Sequence, residues 1–404
     1  MKICLVAHNA YGVMCGGQAG HIGGVERQAT LMSRWLTARG HDVSLVTWNE
    51  GVSSADEIID GVRVIKLCRS DAGLPGLRFI SPRWSSLVRA LGRADAELYF
   101  HNCAEYVTGQ VALWCRRRNR RFVFSVASDP ECDPALPMLT TLRDRWLYRY
   151  GLRRADRVIV QTRYQQEKLA SGFSLAACVL PMPCEGPKAD AFRPPAPPIA
   201  AGARVLWVGR IAPVKRLELL LDVAERLPAV IFDVVGKPDA EPGYVTRVMD
   251  RARALRNVRV RGAVDPELMP EMYRSASILC CTSVYEGFPN TFLEAWSHGI
   301  PVVSTIDPDG LIASRHLGST GGNADELATG IQRLVEAPDV WRRASADARL
   351  LFLEHFSAES AMPRFELMFA ETIEGKRPST RSRTHDPAGI LGDDMGAPAK
   401  TRQR

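Results

Sequence analysis

Several things are missing from this chain of 404 residues, and each absence removes a class of protein. No apolar run approaches the roughly 20 residues of a membrane-spanning helix. The opening run Ile3 to Ala7 is too short for a signal-peptide core and meets the polar His8-Asn9, so a cytoplasmic protein is expected. The ten cysteines include no Cys-x-x-Cys pair and no Cys/His cluster, and the eight histidines show no metal spacing. Packed, reduced thiols are therefore expected, with no metal site and no disulfides. No Gly-x-Gly-x-x-Gly follows a strand, which argues against an NAD oxidoreductase. There is no short internal period.

What is present fits two α/β domains of ordinary size. Hydrophobic residues make up 46% and charged residues 24%, enough for a large core in a globular chain. The formal net charge is +7, unevenly spread: residues 1–180 carry 24 Lys and Arg against 16 Asp and Glu, and the last thirty carry 7 against 3. The stretch between is net acidic. The basic runs Arg116 to Arg121 and Arg143 to Arg157 raise the hypothesis of docking on an anionic lipid surface; a solvated basic helix face is the alternative.

Along the chain, Lys2 to Ala7 is a continuous apolar run of the kind buried on both faces of a parallel sheet. A glycine-rich loop follows (Gly12, Gly16, Gly17, Gly20, Gly23, Gly24), then a helical pattern from Val25 to Arg39 and a strand at Val43 to Thr47. This βαβ start places glycines where an anion could approach the backbone. Strands are expected at 62–68, 96–101, 121–126 and 157–162, giving an N-terminal alternating domain over residues 1–180. Residues 181–203, rich in Pro and Ala, read as a semi-rigid linker. A second series over 204–355 has strands at 205–208, 231–235, 258–261, 278–281 and 302–304. A C-terminal helix within 356–374 and a polar, disordered tail over 375–404 complete the reading.

Two turns carry the chemistry. The first runs from Gly209-Arg210 to Lys215-Arg216 ahead of a helix at Leu217 to Arg226, where two cations face a helix start that favours an anion. The second, Ser283 to Trp296, places Glu286 in a turn and Glu294 within a helix that starts at Asn290 or Thr291, residue types that cap free amides. Carboxylates beside a phosphate-favouring helix start suit a ligand that carries both hydroxyls and phosphates.

Together these residues resemble the family 4 glycosyltransferases, of the glycosyl transferase group 1 type, over roughly residues 1–372. The resemblance rests on Gly23-Gly24-Val25-Glu26-Arg27 with Arg39-Gly40-His41-Asp42-Val43, on Val208-Gly209-Arg210 with Lys215, on Val235-Gly236, and on Glu286 followed after seven residues by Glu294. It implies the GT-B fold, two facing Rossmann-like domains with a cleft between them. It also implies metal-independent transfer of a hexose, with retention, from a UDP- or GDP-sugar to a glycan or lipid-linked acceptor, with no cofactor and no nucleic acid involved. By this resemblance Arg210 and Lys215 hold the donor diphosphate, Glu294 the ribose hydroxyls, and Glu286 faces the donor sugar. The turn Gly287-Phe288-Pro289-Asn290-Thr291 would offer backbone amides to donor oxygens, Gly236 would lie on the donor side, and Gly23 and Gly24 would approach the phosphate from the opposite domain. Surface polysaccharide or glycolipid synthesis at the inner face of the plasma membrane would fit. Many members carry a histidine after the strand that here reads Phe122 to Val126, where this chain has Ala127. Ser128 or Asp129 takes over the sugar contact, or His101 serves from the next strand. Asp307-Pro308-Asp309-Gly310 stands where the family often has two glycines and should also face the cleft. The alternatives are a GT-B sugar-nucleotide 2-epimerase and a nonenzymatic nucleotide-sugar-binding protein.

Overall fold

The computed structural model of the protein describes residues 1–16, 23–50, 53, 56–198 and 202–375. Gly17 and Gly20 of the first glycine-rich loop, residues 199–201 of the linker stretch and the tail from 376 lie outside the described residues. Two sheets organise the chain. The first contains β1 (Lys2–Val6), β2 (Asp42–Thr47), β3 (Glu57–Ile59), β4 (Val62–Lys66), β5 (Leu98–Asn102), β6 (Arg121–Ser125), β7 (Arg157–Val160) and β8 (Cys178–Val179). Its strand order is β3-β4-β2-β1-β5-β6-β7-β8, with every pairing parallel except β3 against β4.

The second sheet contains β9 (Arg204–Val208), β10 (Ile231–Val235), β11 (Val258–Gly262), β12 (Ile278–Cys281), β13 (Val302–Ser304) and β14 (Gly318–Thr320), in the order β11-β10-β9-β12-β13-β14. This is the doubly wound order in which direction reverses at the first strand, and ligands of such sheets bind beyond the strand ends at that reversal. The reversals lie between β1 and β5 in one sheet and between β9 and β12 in the other.

The strands form where the sequence is apolar on both faces. Phe122, Val123 and Phe124 of β6 are all buried, as are Ile278, Leu279 and Cys280 of β12. Asp233 is the exception within a buried strand. Its carboxylate, 2% exposed as a residue, accepts from Arg204 at 2.7 and 3.0 Å and from Arg261 at 2.8 Å, so neighbouring strands compensate its charge. The helix Ala358–Ile373 packs Met362, Phe365, Met368 and Phe369 into the cluster that contains Ile3, Leu5, Phe100 and Val123 of the first sheet. The chain therefore returns to its first domain after building the second.

Three short strands, β3, β8 and β14, and the four-residue helix Tyr11–Met14 have no counterpart in the sequence reading. Runs of two to four residues hold too little periodicity to be seen, and their sheet pairing decides them.

Candidate active site

The reversal of the second sheet is built by two loops stitched together. After β9 the chain passes through a single turn at Pro213–Lys215, and Arg216, at φ +45°, starts the helix Leu217–Arg226. Arg216 donates to the carbonyls of Thr282 (2.7 Å) and Ser283 (3.2 Å), Thr282 Oγ1 donates to the Lys215 carbonyl at 2.7 Å, and the Val284 amide reaches Val214 O at 2.8 Å. These bonds fix Lys215 beside Glu286. The two form an ion pair, and Ser283 Oγ donates to the same carboxylate oxygen at 2.7 Å. Arg210, more exposed, pairs with Asp239. The compensating anions for this pair of cations are thus protein carboxylates. Gly236 is required by close approach: a Cβ there would lie 1.7 Å from the Gly209 carbonyl oxygen.

The second turn departs from the sequence reading at its cap. The helix Asn290–Ser297 begins with Pro289 at the cap position and no side-chain capping bond. Asn290 instead accepts from Gln28 Nε2 of the other domain at 2.9 Å, and Gln28 Oε1 accepts from Asn102 at 3.3 Å. The Phe288 amide, expected to face donor oxygens, donates to Gln161 Oε1 at 2.7 Å, and the Phe288 ring is buried against Trp296 and Phe356. Thr291 follows within the helix. Glu294 accepts from Arg27 at 2.7 Å across the cleft and from the buried Tyr273 hydroxyl, whose ring stacks on His298.

The two domains meet closely. A Cβ on Gly287 would lie 2.4 Å from the Ala127 carbonyl oxygen, and one on Gly24 would lie 2.0 Å from Asn290 Nδ2. Gly23 precedes the helix Gly24–Ala38 in extended conformation. The Asp129 amide donates to Glu286 O at 3.3 Å. Asp309 accepts from the amides of Arg163 (2.8 Å) and Tyr164 (3.2 Å), capping a helix of the first domain from the second, while Asp307 accepts from Ile312 and Ala313.

Beside these contacts lies a cavity of about 720 Å³, lined by Asp129, Asp133, Tyr164, Lys168, Tyr285, Glu286, Asp307 and Asp309 among others. Burial, reinforced by the charges of Asp309 and Glu286, pushes Asp129 up to about 6 even though Gln165 donates to it at 2.9 Å. A second cavity of about 610 Å³ includes Arg27, Arg34, Tyr273, Arg274, Glu294 and His298. Ser128 Oγ bonds to Glu131 at 3.0 Å, and Glu131, which also accepts from the Ala127 amide, is pushed to about 8 by burial. His101 is 2% exposed, bonds through Nδ1 to Val6 O at 2.8 Å, and lines neither of these two cavities.

Glu286, Asp129, Lys215 and the 287–291 turn thus converge at the domain boundary, with Glu294 nearby. The sequence reading missed Gln28, Gln161 and Tyr273 as site residues. A signal existed for Gln161, a polar residue directly after the apolar strand β7; Gln28 and Tyr273 sit within amphipathic helices and carry none.

Two family models match the chain: the glycosyl transferase 4-like domain over residues 23–184 and the glycosyl transferases group 1 model over residues 202–337. A D-inositol 3-phosphate glycosyltransferase from Mycobacteroides abscessus is 28% identical over 255 residues, covering 56% of this chain and 55% of that protein. The D-inositol 3-phosphate glycosyltransferase 2 of Catenulispora acidiphila is 30% identical over 213 residues, covering 46% and 49%. The chain spans about half the length of the curated relatives it matches. Among solved structures, sucrose-phosphate synthase from Thermosynechococcus elongatus superposes with a TM-score of 0.74 at 20% identity, covering 92% of this chain and 99% of that one. A structure of OtsA gives 0.68 at 14% identity, covering 94% and 100%. These likenesses establish the two-domain GT-B fold. On the two matched models and the fold they share, the chain belongs to the group 1, family 4-like glycosyl transferases.

Proposed function

We propose that the protein is a retaining hexosyltransferase that moves a sugar from a nucleotide-diphosphate sugar, UDP- or GDP-linked, to a glycan or lipid-linked acceptor in surface polysaccharide or glycolipid synthesis. The observation that carries this reading is that Glu286, ion-paired to Lys215, and Asp129 line one cavity at the reversal of the second sheet, with Glu294 in the helix that follows. Lys215 and Arg210 neutralise charge developing on the leaving diphosphate, which is where preorganised cations act most strongly. Glu294 exchanges Arg27 for ribose hydroxyls, and Glu286 turns from Lys215 to the hydroxyls of the transferred sugar. Asp129, held by Gln165, orients the sugar from the opposite domain, in place of the family's histidine. The cavity beside Glu286 carries Asp129, Asp133, Asp307 and Asp309 against Lys168, which favours a hydroxyl-rich acceptor over a phosphorylated one.

The first domain also has the surface for a membrane-bound acceptor. Leu74, Leu77, Ile80, Leu142 and Trp146 are all exposed, the last two at 82% and 63%, and Arg143 lies 3.9 Å over the Phe79 ring, joining the two segments. Among the described residues no helix is long and apolar enough to cross a membrane. Attachment through this surface would use apolar side chains and arginine charge together. Sedimentation with anionic vesicles at low salt should carry the protein down; recovery in the supernatant removes this part of the proposal.

The donor site is tested by a thermal-shift screen of UDP, GDP, ADP and CDP with their sugars. A ligand at 100 times its Kd stabilises by about 2.7 kcal/mol, an easily measured shift. Glu294→Ala and Lys215→Ala should abolish it. No shift with any nucleotide would sink the reading.

A further inference from the structure

The reversal of the first sheet, between β1 and β5, is occupied by a group of residues that the transferase chemistry does not use. His101 is the penultimate residue of β5, and Cys103 and Glu105 follow at alternate positions. A ring nitrogen of His101, Cys103 Sγ and a Glu105 carboxylate oxygen all lie within 4.8 Å of one another. The sequence reading found no Cys/His cluster, because His-x-Cys-x-Glu has no familiar ligand spacing; the bend after β5 creates one.

His101 is presented as ligands usually are. Its Nδ1–H donates to the Val6 carbonyl at 2.8 Å, which fixes the ring and leaves the lone pair on Nε2. That Nε2 is buried and has no hydrogen-bond partner. An unpaired buried acceptor costs roughly 1–3 kcal/mol, so it calls for a partner. Cys103 is a free thiol held at φ +74°, a strained conformation for a residue with a side chain. The strain is maintained by its amide bond to Ser125 O at 3.1 Å. His8, 7% exposed, stands beside the group with Nδ1 3.8 Å from Glu105 Oε2, and its Nε2 is likewise buried without a partner. Two imidazoles thus have an unfilled nitrogen in one corner of the fold.

We infer that His101, Cys103 and Glu105 form a binding site for a thiophilic divalent cation of the zinc class. A nitrogen, a sulfur and a carboxylate oxygen are the donors zinc takes, at about 2.0–2.3 Å, and three protein ligands leave a fourth position for water or a substrate hydroxyl. Tetrahedral donors at those bond lengths sit about 3.3–3.8 Å apart, so binding draws the group together by about 1 Å. On binding, the thiol proton passes to solvent and the thiolate joins the cation.

The test uses the full-length chain, treated with chelator and titrated with Co²⁺. We expect one equivalent to produce a near-ultraviolet thiolate-to-cobalt absorption with strong visible bands, displaced by Zn²⁺. The isosteric Cys103→Ser variant, folded by circular dichroism, should lose the absorption. His101→Ala and Glu105→Gln should weaken Zn²⁺ binding by more than the about 10–100-fold typical of losing an outer-shell partner. Absence of the absorption in the wild-type chain overturns the inference, and so does its persistence in Cys103→Ser, which would place the cation on another cysteine. Donor binding in the thermal-shift screen is a separate readout, so failure here leaves the transferase reading standing.

Discussion

Gly287→Ala perturbs the closest approach between the two domains. The added methyl would lie 2.4 Å from the Ala127 carbonyl oxygen and 3.0 Å from both Gln161 Oε1 and Gln165 Nε2, where ordinary contact begins at 3.4 Å. The obstacle is backbone, two residues past the end of β6, so it cannot swing aside as a side chain would, and the domains must separate by about 1 Å. Two bonds then fail: Phe288 N to Gln161 at 2.7 Å and Asp129 N to Glu286 O at 3.3 Å. At about 0.5–1.5 kcal/mol each, closure loses about 1–3 kcal/mol, or roughly a 5- to 150-fold shift toward separated domains. Small-angle scattering should report a larger radius of gyration, and kcat should fall by a comparable factor while affinity for the nucleotide, which the proposed function places mainly on the second domain, changes little. Gly24→Ala probes the other close approach: its methyl meets the Asn290 side-chain amide at 2.0 Å, and a rotation that relieves it costs the single bond from Gln28, so the effect should be smaller. If Gly287→Ala scattered like wild type and retained full activity, the packed domain boundary would have no role in turnover.

Glu131, raised to about 8 by burial, makes the fold more stable at low pH: the native state holds a proton that the unfolded chain releases near 4.5, so stability falls as pH rises from 4.5 through 8. Glu131→Gln should flatten that slope in a thermal-denaturation series, and an unchanged slope would mean that Glu131 is ionised throughout. Asp233→Asn leaves Arg204 and Arg261 without their shared anion in the second sheet, and urea denaturation should show a loss of about 3 kcal/mol or more. Arg349→Ala removes donors to Ser297 O and Pro187 O and the cation over the Phe192 ring, and should cost about 2–4 kcal/mol, read the same way. Activity against pH should decline as Asp129 is protonated near 6, and Asp129→Asn should remove that limb.

The sequence by itself determined what local pattern can carry. Apolar runs such as Ile231 to Val235 and Val302 to Ser304 became strands with those bounds, and the helix Leu217–Arg226 fell where the periodicity put it, because each depends on residues a few positions apart. The same locality placed Lys215 and Glu286 in turns after strands, where an open parallel sheet exposes its ligand-binding edge. Tertiary structure decided the partners. Arg27 meets Glu294 across 267 positions, Gln28 meets Asn290 across 262, and Gln161 takes the Phe288 amide across 127. No periodicity links such residues, since their proximity comes from how two sheets pack and not from the chain between them. His101 shows the same division most sharply. As a residue at a strand end it read as a sugar contact, but the fold buries it, bonds its Nδ1 to Val6 and gathers Cys103 and Glu105 within 4.8 Å of a ring nitrogen, because the parallel pairing of β1 with β5 sets Val6 opposite it.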